Sequence, residues 1–316
     1  MSALLGRFED GMALLIFFYT ALTVFVAGNL YRIVRVARTP AHLRWELYPI
    51  PHGSREKQAY GGSYFEDSNW WTSPPKHGRI GELLYMAKEI LLLKSVRESN
   101  PALWLCSWLF HLGMYAWTVS AVLTIGVIAA LIPDSDLAAI LFMGASTAFG
   151  AAMLLGSAGT IGLIALRYAS PRLRPFTSRA AVLNLALIMG IFCTGVAMLL
   201  HNPGSLEDVI EWLASPVLYP RMPRLPVLAS AHVALVSLFL LYFPFSHMMH
   251  AYMKFFTYHS VRWDDAPSAL NPSAGASIAR SLQQPVTWAA PHIAGDGAVT
   301  WAEVISGGAQ ADKHDD

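Results

Sequence analysis

Apolar residues dominate five stretches of the chain, at 11–34, 102–132, 138–166, 180–201 and 226–256. Each reaches the roughly 20 residues that a helix needs to cross the ~30 Å hydrocarbon core of a bilayer. No other segment is apolar enough, so the pattern predicts an all-α membrane protein with five transmembrane helices. Polar stretches between them carry Lys and Arg unevenly. The segment after the first span holds Arg32, Arg35, Arg38, Arg44, Arg55, Lys57, Lys76, Arg79, Lys88, Lys94 and Arg97, and the loop after the third holds Arg167, Arg172, Arg174 and Arg179. Residues 133–136 have none, and the loop after the fourth span has only Arg221 and Arg224. Positive charge stays on the cytoplasmic side, so the N-terminus is expected outside and the C-terminus inside.

This divides the chain into a first helix (1–34), a long cytoplasmic loop (35–100), a four-helix membrane domain (101–260) and a flexible cytoplasmic tail (261–316) with Trp288 and Trp301 available to a partner. The loop mixes Trp45, Tyr48, Tyr60, Tyr64, Phe65, Trp70 and Trp71 with turn residues, which suits a protein interface or an interfacial belt. Residues 82–95 repeat apolar positions at helical spacing and predict an amphipathic surface helix. Gly144, Gly150, Gly156, Gly159 and Gly162 in the third span predict close helix packing. A single Arg7 before the first run and no small-residue cleavage site mark that run as a retained span.

Composition agrees with this class: 316 residues, 54% hydrophobic and 14% charged, place the chain among multi-pass membrane proteins, for which the cell's inner membrane is the expected location. A net charge of +1 argues for no nucleic-acid partner. Cys106 and Cys193 are far apart, so they form no CxxC metal pair and no CxxCH haem attachment.

Histidine is the informative residue. Of eleven, His111, His201, His232, His247 and His250 fall in or at spans, while His42, His52, His77, His259, His292 and His314 are accounted for by surface roles. Ionisable side chains in a span line a cavity, pair, or ligate something. His232 and His250 are eighteen residues apart, so on one helix they share a face at levels about 27 Å apart. Pro244, just before His247 and His250, is expected to kink that helix. By orientation His111 and His250 form an inner group, and His201 and His232 an outer one. A lone intramembrane histidine is as often hydrogen-bonded filler or a proton relay. Histidines at matched depths on three helices are simplest as axial ligands of two bis-histidine haems b, one near each face. His247 and His250 are one turn apart, and spacing leaves open which of them is the inner ligand. The HxxH they form lacks the Glu of HExxH zinc proteases. Asn202, Glu207, Asp208 and Glu211 are outer polar groups suited to proton handling or to a solvated loop.

Two stretches resemble the gamma-subunit cytochrome b family of respiratory nitrate reductase: Ser107-Trp-Leu-Phe-His111-Leu-Gly113, and Ala231-His232 followed by Leu240-Leu-Tyr-Phe-Pro-Phe-Ser-His-Met-Met-His250. The resemblance covers residues 100–256. It implies that His111 and His250 hold the inner haem and that His232 is one ligand of the outer haem. The family's second ligand on helix two falls here on Ala121; His201 is the remaining outer-side candidate opposite His232, and without it the protein carries a single haem. The loop sequence YGGSYFEDSNWW is similar to the branch that accompanies heterodisulfide-reductase-like iron–sulfur proteins in complexes of the DsrMK, Tmc and Hme type. The expected function is that of a membrane cytochrome b subunit of a respiratory oxidoreductase complex. It would carry electrons between membrane quinone and a heterodisulfide-reductase-like or ferredoxin-like iron–sulfur subunit at the cytoplasmic face, in either direction. The rival is a histidine-bearing proton or metal transporter, which the scarcity of intramembrane carboxylates and the lack of an obvious inverted repeat disfavour.

Overall fold

Helices form where the apolar runs lie. The computed structural model describes residues 2–38, 68, 79–131, 136–218, 223–250, 253, 272–288 and 297–306. The elements are α1 (Ser2–Ala37), α2 (Arg79–Leu92), α3 (Lys94–Ser99), α4 (Pro101–Leu131), α5 (Leu137–Ala169), α6 (Arg179–His201), α7 (Ser205–Leu218), α8 (Val227–Tyr242), α9 (Pro272–Leu282) and α10 (Trp301–Ile305). Five helical segments are long and apolar enough to cross a membrane: Gly11–Ala37, Pro101–Leu131, Leu137–Ala169, Arg179–His201 and Val227–Phe245. The protein is a multi-pass, all-helical membrane protein. The aromatic segment at 45–71 and His42, His52, His77, His259, His292 and His314 lie outside the described residues, apart from Ser68.

Two compact units are distinguished, residues 1–30 with 86–249, and residues 31–85 with 250–316. In the first, large apolar side chains point outward: Val122, Ile125, Ile140, Met143 and Leu154 are 62–68% exposed. Small residues such as Ala145, Ala152, Ala229 and Ser237, at 0%, share the interior with larger ones such as Phe192, Ile191, Met153 and Trp212. Lipid solvates the outside as well as a core would, so packing and buried hydrogen bonds hold the helices together. The α4–α5 pair is the tightest seam: a Cβ on Gly113 would fall 2.5 Å from the backbone of Gly156. Ser120 Oγ donates across it to the Ala145 carbonyl at 2.9 Å. Local side-chain caps start two of the helices. Asn100 Oδ1 accepts from Leu103 N at 3.1 Å ahead of Pro101, and Ser178 Oγ accepts from Ala181 N at 3.1 Å.

Three elements differ from the sequence expectation. The last span does not continue as one helix over 226–256: α8 stops at Tyr242 and 3-10 turns follow at Phe243–Phe245 and His247–Met249. Pro244 is the cause, because it lacks an N–H and its ring collides with the carbonyl four residues back. Its ring is seated against Gly28 of α1. The one-helix argument that set His232 and His250 on a common face therefore does not hold. Second, the segment after α6 is a helix. In α7, Leu206, Val209, Ile210, Trp212 and Ala214 are buried, with Trp212 edge-on to Phe18 at 6.5 Å.

Third, the amphipathic helix expected at 82–95 is split into α2 and α3 by Leu93, at φ 48 and ψ 49. A left-handed L-residue costs about 1–2 kcal/mol, whereas glycine visits that region freely at an entropic cost of about 0.5–1 kcal/mol. Leu93→Gly is expected to melt above Leu93→Ala in detergent, since both lose the side chain but only glycine relieves the backbone. The reverse order would show that Leu93 is unstrained.

In the second unit the tail, expected to be flexible, carries local structure. Pro285 and Thr300 form an antiparallel bridge, Val286 is fully buried, and Trp288 packs on Trp301 at 5.9 Å. Thr300 and Glu303 form a reciprocal capping box at the start of α10. The Thr300 N–H and hydroxyl hold the Glu303 carboxyl below its ordinary range. A depressed folded value means the cap stabilises α10 above the normal carboxylate range and fades as pH falls through the lowered one. Proteolytic nicking at 297–306 should therefore rise on acidification, and less so in Glu303→Gln.

Candidate functional site

The histidines of the first unit share a chemical arrangement. His111 lies in the third turn of α4, half-buried, with Nδ1 2.6 Å from the Ser107 carbonyl one turn back. A carbonyl only accepts, so Nδ1 carries the proton and Nε2 is the nitrogen that bears the lone pair. The Ser107 hydroxyl sits 3.4 Å from the same nitrogen, and Phe110 meets the ring edge-on at 5.2 Å.

His232 repeats this between helices. It is 5% exposed, and its Nδ1 is 3.1 Å from the Ile191 carbonyl of α6 and 3.0 Å from Thr194 Oγ1. Thr194 donates its own proton to the Gly190 carbonyl at 2.7 Å, so its oxygen faces the imidazole as an acceptor. Again Nε2 is the available nitrogen. Gly195 makes the close approach possible: a Cβ there would lie 3.3 Å from His232 Cε1 and collide with Met153 Sδ. Phe149 covers the ring edge-on at 5.7 Å. Holding a ligand imidazole by its second nitrogen is how metal-binding histidines are oriented and made more basic.

Between these imidazoles the bundle interior is aromatic. Phe192 lies 6.5 Å from Phe110 and 6.4 Å from Trp117, and Trp117 lies 5.4 Å from Phe239. These rings exclude water from the space between α4, α6 and α8.

His247 is exposed, with Nδ1 3.3 Å from Asn184 Nδ2. Asn184 is 5% exposed and its Oδ1 is buried without a hydrogen bond. Turning the amide by 180° would place that oxygen on Nδ1 and give His247 the same carbonyl-held form as the other two. His250 is exposed and follows the His247–Met249 turn. His201 is exposed at the end of α6, two turns and about 10 Å beyond Thr194. His232 thus docks on the middle of α6, at a different level from His201.

The polar groups after α6 have local work. Asn202 Nδ2 donates to Asp208 Oδ2 at 3.1 Å and Asn202 Oδ1 accepts from Gly204 N at 3.0 Å, which locks the start of α7. Glu207 is exposed and Glu211 half-buried. Among the described residues no three His, Cys, Asp or Glu side chains gather around a common point. The partners Ser107, Ile191 and Thr194 were not anticipated from sequence. Backbone carbonyls leave no residue signature, and a hydroxyl in an apolar run reads the same whether it bonds its own helix or a neighbour.

A family model described as nitrate reductase gamma subunit matches residues 95–264, just over half of the chain. The matched stretch takes in all five span histidines. Comparison with the curated proteins and with the solved structures yields no match.

Proposed function

Because the chain belongs to the nitrate reductase gamma-subunit family, whose members are membrane haem b cytochromes that transfer electrons, we propose that it moves electrons between the quinone pool and an iron–sulfur partner through two bis-histidine haems b. The observation that carries this reading is the pair of imidazoles, His111 and His232, each oriented within the apolar bundle by a hydrogen bond from Nδ1 to a helix carbonyl, as ligand histidines are. The donor set fits: haem b needs no covalent attachment, and two neutral imidazoles suffice as protein ligands. When bound, haem supplies a one-electron carrier at each end of the bundle. The ligand assignment follows the family resemblance, with His111 and His250 for the inner haem and His232 for the outer one. His201 is proposed as its partner, being the other histidine on that side, which requires the end of α6 to bring it to the level of His232, about 10 Å from where it now stands.

The chain's own residues do the rest. Ser107, Ile191 and Thr194 orient the imidazoles, while Phe110, Phe149, Phe192 and Trp117 keep the surroundings dry and so tune potential through burial. In this reading quinol binds near the outer haem, protons are released outside and electrons pass inward, with the arginine-rich loops taken as cytoplasmic; the reverse direction uses the same groups. The partner reading, a heterodisulfide-reductase-like or ferredoxin-like subunit in a sulfur-metabolism complex of the inner membrane, is supported by the resemblance of the 60–71 loop sequence. A proton- or metal-transporting chain would call for acidic partners to the imidazoles, and here neutral oxygens take those places.

A pyridine haemochrome assay on the purified protein tests the proposal. About two haems b per chain are expected from two bis-histidine sites. One haem would remove the His201–His232 site, and none in folded protein would end the cytochrome reading. Thr194→Val should keep both haems, because the Ile191 carbonyl still holds His232, but change the low-spin electron paramagnetic resonance signal of one of them. An unaltered signal would show that the hydroxyl does not act on a ligand.

A further inference from the structure

The end of α2 is seated on the face of α4 that carries His111. Trp104 Nε1 donates to the Leu92 carbonyl at 2.7 Å, Trp108 Nε1 to Leu91 at 2.9 Å, and Tyr115 OH to Ile90 at 2.8 Å. These carbonyls are among those that a helix C-terminus leaves without partners. Three aromatic donors satisfy three consecutive ones, which makes a built seat. Residues 104, 108, 111 and 115 follow the i, i+4, i+7, i+11 pattern of a single stripe, so His111 stands between two of the donors. His111 lies 6.3 Å from the Tyr115 ring.

Independent features fix the same spot. Leu93 takes the left-handed conformation that stops α2 there and lets α3 begin at once. Ser95 Oγ donates to Glu89 Oε1 at 2.7 Å across that break. Trp104 stacks on Trp108 at 5.6 Å, and Arg97 lies over Trp104 at 5.2 Å. Ile90, Leu91 and Leu92 keep 45–54% of their surface uncovered, so the last turn of α2 also offers an apolar surface. All of α2 lies outside the residues that match the family model, 95–264.

We propose that the last turn of α2, which lies outside the stretch matched to the family, is a wall of the His111 haem site, with Trp104, Trp108 and Tyr115 as its positioning residues. The proposal rests on the haem reading of His111. A helix C-terminus carries partial negative charge, which favours the more positive ferric state of a nearby haem and so lowers its reduction potential. The apolar side chains of Leu91 and Leu92 shield the same edge from solvent.

Tyr115→Phe and the double variant Tyr115→Phe/Trp108→Phe delete donors while keeping the rings. In full-length detergent-purified protein, redox titration of the Tyr115→Phe variant should show one haem shifted to higher potential at unchanged haem-to-protein ratio, and the double variant a larger shift. Both should lose haem to excess apomyoglobin faster than wild type, with lipid-facing Val122→Ala as the unshifted control. Wild-type potentials and haem-loss rates in the double variant would overturn the proposal while leaving haem at His111. Full haem content in His111→Ala would instead overturn the underlying reading.

Discussion

Replacing His111 with alanine should remove one haem b per chain and leave a folded membrane protein, and His232→Ala should remove the other. The expectation follows from how each side chain is held. A non-covalent haem keeps its place chiefly through its two iron–imidazole bonds, so deleting one ligand vacates the site, while the helices do not depend on that ligand for packing. At His111 the seam is built by neighbours: Gly113 against Gly156, and Phe110 against Gly159. At His232 the acceptors already have other bonds, since Ile191 is an interior residue of α6 and Thr194 bonds its own turn. The fold then loses a cavity term and one net hydrogen bond, about 2–4 kcal/mol together. The haem-to-protein ratio should fall by about half in each variant and to near zero in the double, as two separate sites require. Wild-type ratios in either single variant would mean that the altered histidine is filler.

The largest effect on folding is expected at Gly159. A Cβ there would run into the Phe110 backbone nitrogen, with Phe110 Cα at 2.6 Å and the Cys106 carbonyl oxygen at 2.9 Å. All three neighbours are backbone atoms of α4, so no rotamer change relieves them. Making room means parting α4 from α5 along the seam. That also strains the Ser120–Ala145 hydrogen bond and displaces Phe110, the ring beside His111. Overpacking costs typically 1–3 kcal/mol even where side chains can yield, and here the upper end or beyond is expected. Gly150 is the internal control, because a Cβ there meets nothing within 4 Å. Gly150→Ala should be neutral or gain up to ~1 kcal/mol of helix propensity. Thermal unfolding in detergent should separate Gly159→Ala from Gly150→Ala by many degrees, with haem loss accompanying only the former. Equal melting points would mean that the α4–α5 seam is loose.

Much of this protein could be read before any coordinate was known. Apolar runs of about the bilayer's thickness set the five spanning segments, because length and hydropathy alone decide which stretches can leave water. The caps at Asn100 and Ser178 were not singled out beforehand, although their chemistry is local to a few residues. Two breaks were partly legible. Pro244 was visible as a kink, yet whether the helix resumes depends on the ring's seat against Gly28 of α1, a residue more than two hundred positions away. Leu93 carries no sequence mark of a left-handed residue; the Trp and Tyr donors of α4 hold the chain there. The helix α7 was overlooked although Leu206, Val209, Ile210 and Leu213 spell a helical stripe, because its charges suggested a solvated loop.

The sequence by itself determined the class of the protein, its spans and the short list of histidines that can ligate, because hydrophobicity and residue type are properties of single positions. Tertiary structure alone decided which nitrogen of each imidazole meets a carbonyl, that His232 docks on the middle of α6, and that the end of α2 is bonded to Trp104, Trp108 and Tyr115 of α4. Those outcomes depend on backbone carbonyls and on distances between helices. Every residue has a carbonyl, so only packing can say which one an imidazole finds.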